Sequence, residues 1–183
     1  FSGQYFELTA DIDLNDVAWT PIGWWSGTSG TPNGSRYFSG IFNGYDVSAG
    51  VKHTIEGLNV SGTQFQSGRG LFGYVNGGVL GNLDVTGTVS ASSGYAAIGG
   101  IVGYTNGSLI NCTSNVDVTA TAGKPTNVGG LAGIVENTVT SLNNSNTVTV
   151  RGCTSTGNVS SSGTRTGGLI GSVYAVTSGA VEV

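Results

Sequence analysis

The chain has 183 residues, a net charge of −4, one His, two Cys, no Met and 33 Gly. That length suits one domain, and a charged share of 9% against about 25% in ordinary globular proteins disfavours a helical bundle or an ordinary α/β enzyme. Six scattered cations exclude the basic track that nucleic-acid phosphates require. High Gly and Ser suit disorder as well as turns, but 38% hydrophobic residues rich in Val, Ile and Leu argue for burial. No apolar run approaches the ~18 residues of a membrane span, so no membrane insertion is expected. The chain opens on Phe1 without a signal-peptide pattern, which suggests a piece of a longer polypeptide.

From the N-terminus, Tyr5 to Leu14 alternates polar and apolar residues as a strand does. It holds the densest acids, Asp11, Asp13 and Asp16. A calcium loop starting at Asp11 wants Gly sixth and Glu twelfth, and those places hold Asp16 and Ile22. A strand with a wet acidic face is the preferred reading, and weak metal binding by Asp11, Asp13 and Asp16 is the lesser one.

Gly23 to Tyr37 is a long turn-rich loop, and aromatics crowd before residue 46. They suit a hydrophobic plug on the end of a stack. Trp24 and Trp25 are neighbours, however, and neighbours in an extended chain point opposite ways. One of them beside Tyr37 would form an aromatic platform for sugars or peptides. Trp24, Trp25 and Tyr37 are therefore the candidate ligand-binding residues. Short turn-and-strand segments follow at 38–44 and 53–58, so residues 1–62 read as irregular end rounds. The single histidine, His53, supplies neither a His-Glu-x-x-His zinc motif nor a triad. It reads as a loop or strand-surface residue.

Beyond residue 69 the chain repeats. Gly70-Leu-Phe-Gly73, Gly100-Ile-Val-Gly103, Gly130-Leu-Ala-Gly133 and Gly168-Leu-Ile-Gly171 share one pattern, at intervals of 30, 30 and 38 residues. A period-two segment follows each of the first three, at 83–89, 112–118 and 153–159, with Asn76-Gly77 and Asn106-Gly107 as turns between. Alignment places Leu83, Cys112 and Cys153 in one column, with Leu58 from a partial earlier copy, and Val89, Val118 and Val159 in another. Such a unit cannot bury its apolar face alone, but copies stacked on one another can. The reading is all-β, a single parallel β-helix over 1–183, with the eight motif glycines at corners. The long interval carries an insertion that reads as a projecting hairpin at 138–150. Cys112 and Cys153 then lie about 4.8 Å apart at Cα. In-register parallel neighbours point the same way, which favours two buried free thiols over a bridge.

The Gly-aliphatic-x-Gly repeats, with Asn111-Cys112 and Gly157-Asn158-Val159 downstream, resemble the GLUG motif of bacterial surface proteins. The segments Leu8–Leu14, Trp19–Gly23 and Phe38–Gly44 look like the region that precedes those repeats. The arrangement is similar to adhesin-like proteins and to non-catalytic parts of IgA-specific metallopeptidases. That resemblance implies a non-enzymatic, extracellular or cell-surface module without a cofactor. It would serve as binding scaffold or stalk, with an unidentified host protein or glycan and the remainder of its parent polypeptide as partners. A carbohydrate-active β-helix is the alternative, and it needs paired carboxylates. Asp84 and Asp117 fall in different columns, so no acidic ladder is expected. The Thr-x-Thr pairs are broken by Asn115, Asp117 and Asn158, which argues against a flat ice-binding array.

Overall fold

The computed structural model describes residues 2–23, 36–61, 68–92, 96–121, 126–137, 147–175 and 180–183. Among these residues the regular structure is all β, in four parallel sheets and one short antiparallel pair. The first sheet stacks Tyr5–Glu7, Ile41–Asn43, Val79–Gly81, Ser108–Ile110, Thr147–Arg151 and Ala180–Glu182. The second stacks Ile12–Asp13, Thr54–Val60, Asp84–Ala91 and Thr113–Ala120, then Thr154–Ser155 and Val159–Ser161. Gly68–Arg69, Ala96–Ile98, Thr126–Gly129 and Arg165–Gly167 make the third. The fourth holds Phe72–Val75, Val102–Thr105, Ala132–Asn137 and Ile170–Ala175. From residue 41 onward the chain visits these sheets in one cyclic order, first, second, third, fourth, and adds one strand to each per round. This is consistent with the expected solenoid.

Alternation explains the strands. Along Thr113–Ala120 the residues Ser114, Val116, Val118 and Ala120 are buried, while Asn115, Asp117 and Thr119 face water. A slip of one residue would turn that whole set outward. The register is therefore tight: Val89 faces Val118, Val118 faces Val159, and Asp84 faces Thr113. Inside, Leu80 stacks on Leu109, Phe72 on Val102, and Ile98 on Val128, all fully buried. Each such side chain contributes roughly 1.5–3 kcal/mol relative to exposure.

The corner between the first and second sheets needs a left-handed residue. Asn82, Asn111 and Gly152 supply it with φ of 54°, 53° and 63°. Asn tolerates this conformation because its short amide bonds locally. Here the amides also form a ladder: Asn82 Nδ2 donates to Asn43 Oδ1 (2.9 Å) and Asn111 Nδ2 to Asn82 Oδ1 (3.3 Å). At the Asn-Gly turns Gly77 takes φ 71° as expected, whereas Gly107 stays out of the left-handed region.

The corner between the third and fourth sheets brings backbones too close for side chains. A Cβ on Gly103 would lie 2.6 Å from the Ala97 carbonyl oxygen, and one on Gly171 would lie 2.5 Å from Val128 N. Gly73 and Gly133 are equally crowded, as are Gly70, Gly100 and Gly130 one turn earlier, while Gly168 meets open space.

Three expectations need correction. The second arm of the expected hairpin at 138–150 does not project. Thr147–Arg151 is a first-sheet strand, pairing in parallel with Ser108–Ile110 and Ala180–Glu182. Residues 138–146 lie outside the described residues. The antiparallel pair instead joins Tyr45–Asp46 to Val51–Lys52. Secondly, Leu58 faces Gly87, not Leu83, because this strand begins its pairing with Thr54 opposite Asp84. The bulge, where Glu56 and Gly57 together oppose the single residue Thr86, then moves Leu58 from Thr88 to Gly87. That bulge puts Gly57 at φ 66° and shifts everything after it. Thirdly, the alternation from Tyr5 to Leu14 is not one strand. It turns after Glu7 and enters the second sheet at Ile12.

Candidate functional site

The aromatic-rich N-terminal region divides in two. Phe6, Phe38, Phe42 and Phe72 pack with ring centroids 5.2–6.4 Å apart inside the stack, with Trp19 against the same core. The indole Nε1 of Trp19 donates to the Leu71 carbonyl at 3.1 Å. These rings are the plug.

Tyr37 lies on the outside of the fourth sheet, 36% exposed, with its ring edge-on to Tyr74 at 5.8 Å. Tyr74 meets Tyr104 edge-on at 5.0 Å, one round further along. Tyr74 and Tyr104 are buried, with Ala97 and Ile134 packed beside them. The Tyr104 hydroxyl donates to Glu136. Burial and the nearby Glu136 charge push the Tyr74 hydroxyl well above the usual phenol range. Two strands on, Tyr174 is exposed and carries the Arg165 guanidinium 5.9 Å from its ring centre. The candidate surface is thus a column of Tyr37, Tyr74 and Tyr104 with its exposed end at Tyr37, while Tyr174 pairs with Glu136 two positions along and lies outside the column. Trp24 and Trp25, the other members of the expected platform, lie outside the described residues. The column was visible in the sequence as Gly73-Tyr74 and Gly103-Tyr104 at the repeat spacing.

The acids do not converge. Asp11 Oδ1 accepts the Thr54 backbone N–H (2.8 Å) and faces His53 Nδ1 (3.1 Å). Those bonds hold its carboxyl below the usual range. Asp13 Oδ1 instead accepts Asn15 N at 2.7 Å. Asp16 sits in the turn that follows, at φ 55°. Among the described residues no three of His, Cys, Asp and Glu are placed to hold a metal ion. His53 lies in the link between Val51–Lys52 and Thr54–Val60, as the loop reading expected, but it is not a surface residue. Its side chain is 14% exposed, with Nε2 buried.

Asp84 pairs with Lys52 across 2.6 Å, and Asp117 accepts the Asn158 backbone N–H at 2.8 Å. These two carboxylates stay in separate columns, Asp84 beside Thr113 and Asp117 beside Thr88. Cys112 and Cys153 are in register and both are free thiols, Cys112 buried and Cys153 half-buried.

The family model of the GLUG motif matches residues 94–119. The chain carries a GLUG repeat. The matched stretch runs from just before Ala96–Ile98, through the Gly100–Gly103 corner and the Val102–Thr105 strand, to near the end of Thr113–Ala120. It therefore spans one strand from each of the four sheets, which makes the motif one full round. No curated protein and no solved structure matches the chain.

Proposed function

We propose that this GLUG chain is a non-enzymatic parallel β-helix that acts as an adhesin-like binding module, outside a bacterial cell, within a larger polypeptide. One observation carries the reading. Side chains stack in the same columns from round to round, as in Val89–Val118–Val159. The polar sets between those columns face outward as a continuous strip of Thr, Asn, Ser and Asp. A stack of this kind is rigid and presents a long repeated face, which suits holding a ligand away from a surface. Six strands in the first sheet at about 4.8 Å each make a rod roughly 29 Å long.

The exposed Tyr37, braced edge-on by Tyr74, is the best contact for a glycan or host protein, together with Trp24 and Trp25. Aromatic faces stack on sugar rings and peptide side chains with little loss of conformational freedom. A carbohydrate-active role has less support. Asp84 is engaged by Lys52 and Asp117 by Asn158, in separate columns.

The test is a glycan and host-protein binding screen on the 183-residue chain, with Tyr37→Ala, Trp24→Ala and Trp25→Ala as controls. Binding that weakens at least 10-fold in one of these variants supports the module. A ligand whose binding none of them changes removes the aromatic site, and a screen without any ligand leaves a spacer.

A further inference from the structure

The two cysteines are placed one above the other. Cys112 Sγ lies 3.4 Å from the carbonyl oxygens of both Leu80 and Ile110. Cys153 Sγ lies 3.5 Å from those of Leu109 and Arg151. Leu80 pairs with Leu109, and Ile110 with Arg151, so the second sulfur repeats the position of the first one round along. The Thr154 N–H donates to the Cys112 carbonyl at 2.9 Å, which locks the backbones in register. Parallel neighbours are about 4.8 Å apart, inside the Cα range of a disulfide. Identical side-chain directions oppose closure in the middle of a flat sheet. Here each cysteine follows a left-handed corner residue, Asn111 or Gly152, and the two thiols lie within hydrogen-bonding reach of each other, so closure needs a rotation about the cysteine side chains.

We propose that Cys153 and Cys112 form a thiol-modification site that reacts with low-molecular-mass disulfides and closes into a reversible bridge between successive rounds. Cys153 is the attacking sulfur, since it is half-buried whereas Cys112 is sealed in the core. The Cys112 thiol and, to a smaller extent, the Lys52 charge favour its thiolate, while the hydrogen bond with Cys153 and then burial keep Cys112 protonated. In the first step the Cys153 thiolate attacks one sulfur of the small disulfide, its S–S bond breaks, and a small thiolate leaves. In the second, Cys112 loses its proton to that thiolate and attacks the Cys153 sulfur, which expels the second small thiolate. The two protein thiols are oxidised and the small disulfide is reduced to two thiols, so protons and electrons balance.

Oxidised glutathione tests this on the folded 183-residue chain, read by intact mass and by thiol counting after denaturation. The wild type is expected to lose both thiols and retain no glutathione. Cys112→Ser is expected to hold one glutathione on Cys153, because the resolving sulfur is gone, and Cys153→Ser to react at least 10-fold more slowly than the wild type. A wild type that keeps a glutathione adduct, forms dimers on a non-reducing gel, or retains both thiols while free N-acetylcysteine is fully oxidised overturns the proposal. The wild-type measurement decides the matter even if either variant fails to fold.

Discussion

Gly100→Ala and Gly168→Ala make the same change at the same place in the repeat, and the structure separates them. Neither glycine adopts a left-handed φ, so an alanine strains neither backbone. The difference is space. At Gly100 the new methyl would lie 2.6 Å from the Gly130 carbonyl oxygen and 2.8 Å from Cβ of the fully buried Val116, and it would collide with the Ser114 hydroxyl. That hydroxyl donates to the Gly130 carbonyl at 2.6 Å. Overpacking of this kind costs about 1–3 kcal/mol, and loss of the Ser114 bond about 1 kcal/mol more. At Gly168 the methyl meets nothing within 4 Å. A surface change there stays within about 0.5 kcal/mol. A chain of this size loses about 2–4 °C of Tm per kcal/mol. Thermal unfolding followed by circular dichroism is therefore expected to place Gly100→Ala roughly 4–16 °C below the wild type and Gly168→Ala within about 2 °C of it. Equal melting temperatures, or the reverse order, would refute the claim that backbone crowding fixes these glycines.

Other outcomes follow from the same geometry. Leu83→Ala empties a fully buried position and is expected to cost about 2–5 kcal/mol in urea unfolding. Asn82→Ala loses both the left-handed corner and the amide ladder, whereas Asn82→Gly loses only the ladder. The Ala variant is expected to be less stable than the Gly variant by about 1 kcal/mol in the same assay. Alkylation of Cys153 by iodoacetamide, followed by peptide mass, is expected to rise through about pH 7, below the usual thiol range near 9. Hydrogen bonds from Ala49 N and Ser48 hold the Asp46 carboxyl below its ordinary value. Its folded form thus binds a proton less readily than its unfolded form, so its contribution is present at neutral pH and lost as pH falls through the lowered value. Asp46→Asn is expected to flatten the acid limb of stability against pH, and an unchanged limb would count against that bond.

The registers of the three later repeats were legible because each strand has one buried and one wet face. Only one phase of Asp84–Ala91 against Thr113–Ala120 keeps Val89 and Val118 both inside. The Glu56–Gly57 bulge was not legible. Leu58-Asn59-Val60-Ser61-Gly62 has the same alternation as Leu83-Asp84-Val85-Thr86-Gly87, which sets Leu58 beside Leu83. The pairing of Thr54 with Asp84 carries it four residues further, and the one extra residue of the bulge leaves no trace in either segment. Thr147–Arg151 was misread for a related reason. Alternating Thr and Val suit a hairpin arm and a sheet strand equally, and the choice lies with Ser108–Ile110, some 40 residues away. The tyrosine column needed the strand positions before Tyr37 could be set beside Tyr74. The depth of His53 follows from Thr54, its neighbour, pairing with Asp84, a register that the alignment of Leu58 with Leu83 did not give.

The order of strands in each sheet also governs how the chain must fold. Val85 meets Ser114 29 residues later, and Val118 waits 41 residues for Val159. A single round therefore has almost nothing to bind until the next has been synthesised. Because chain entropy is lost before such distant pairings repay it, refolding is expected on the millisecond-to-second scale of sheet proteins rather than in microseconds. Two adjacent rounds are the smallest nucleus, and further rounds add to it one at a time. During growth the newest round always offers unpaired strand edges, so the risk of association between chains follows the advancing end.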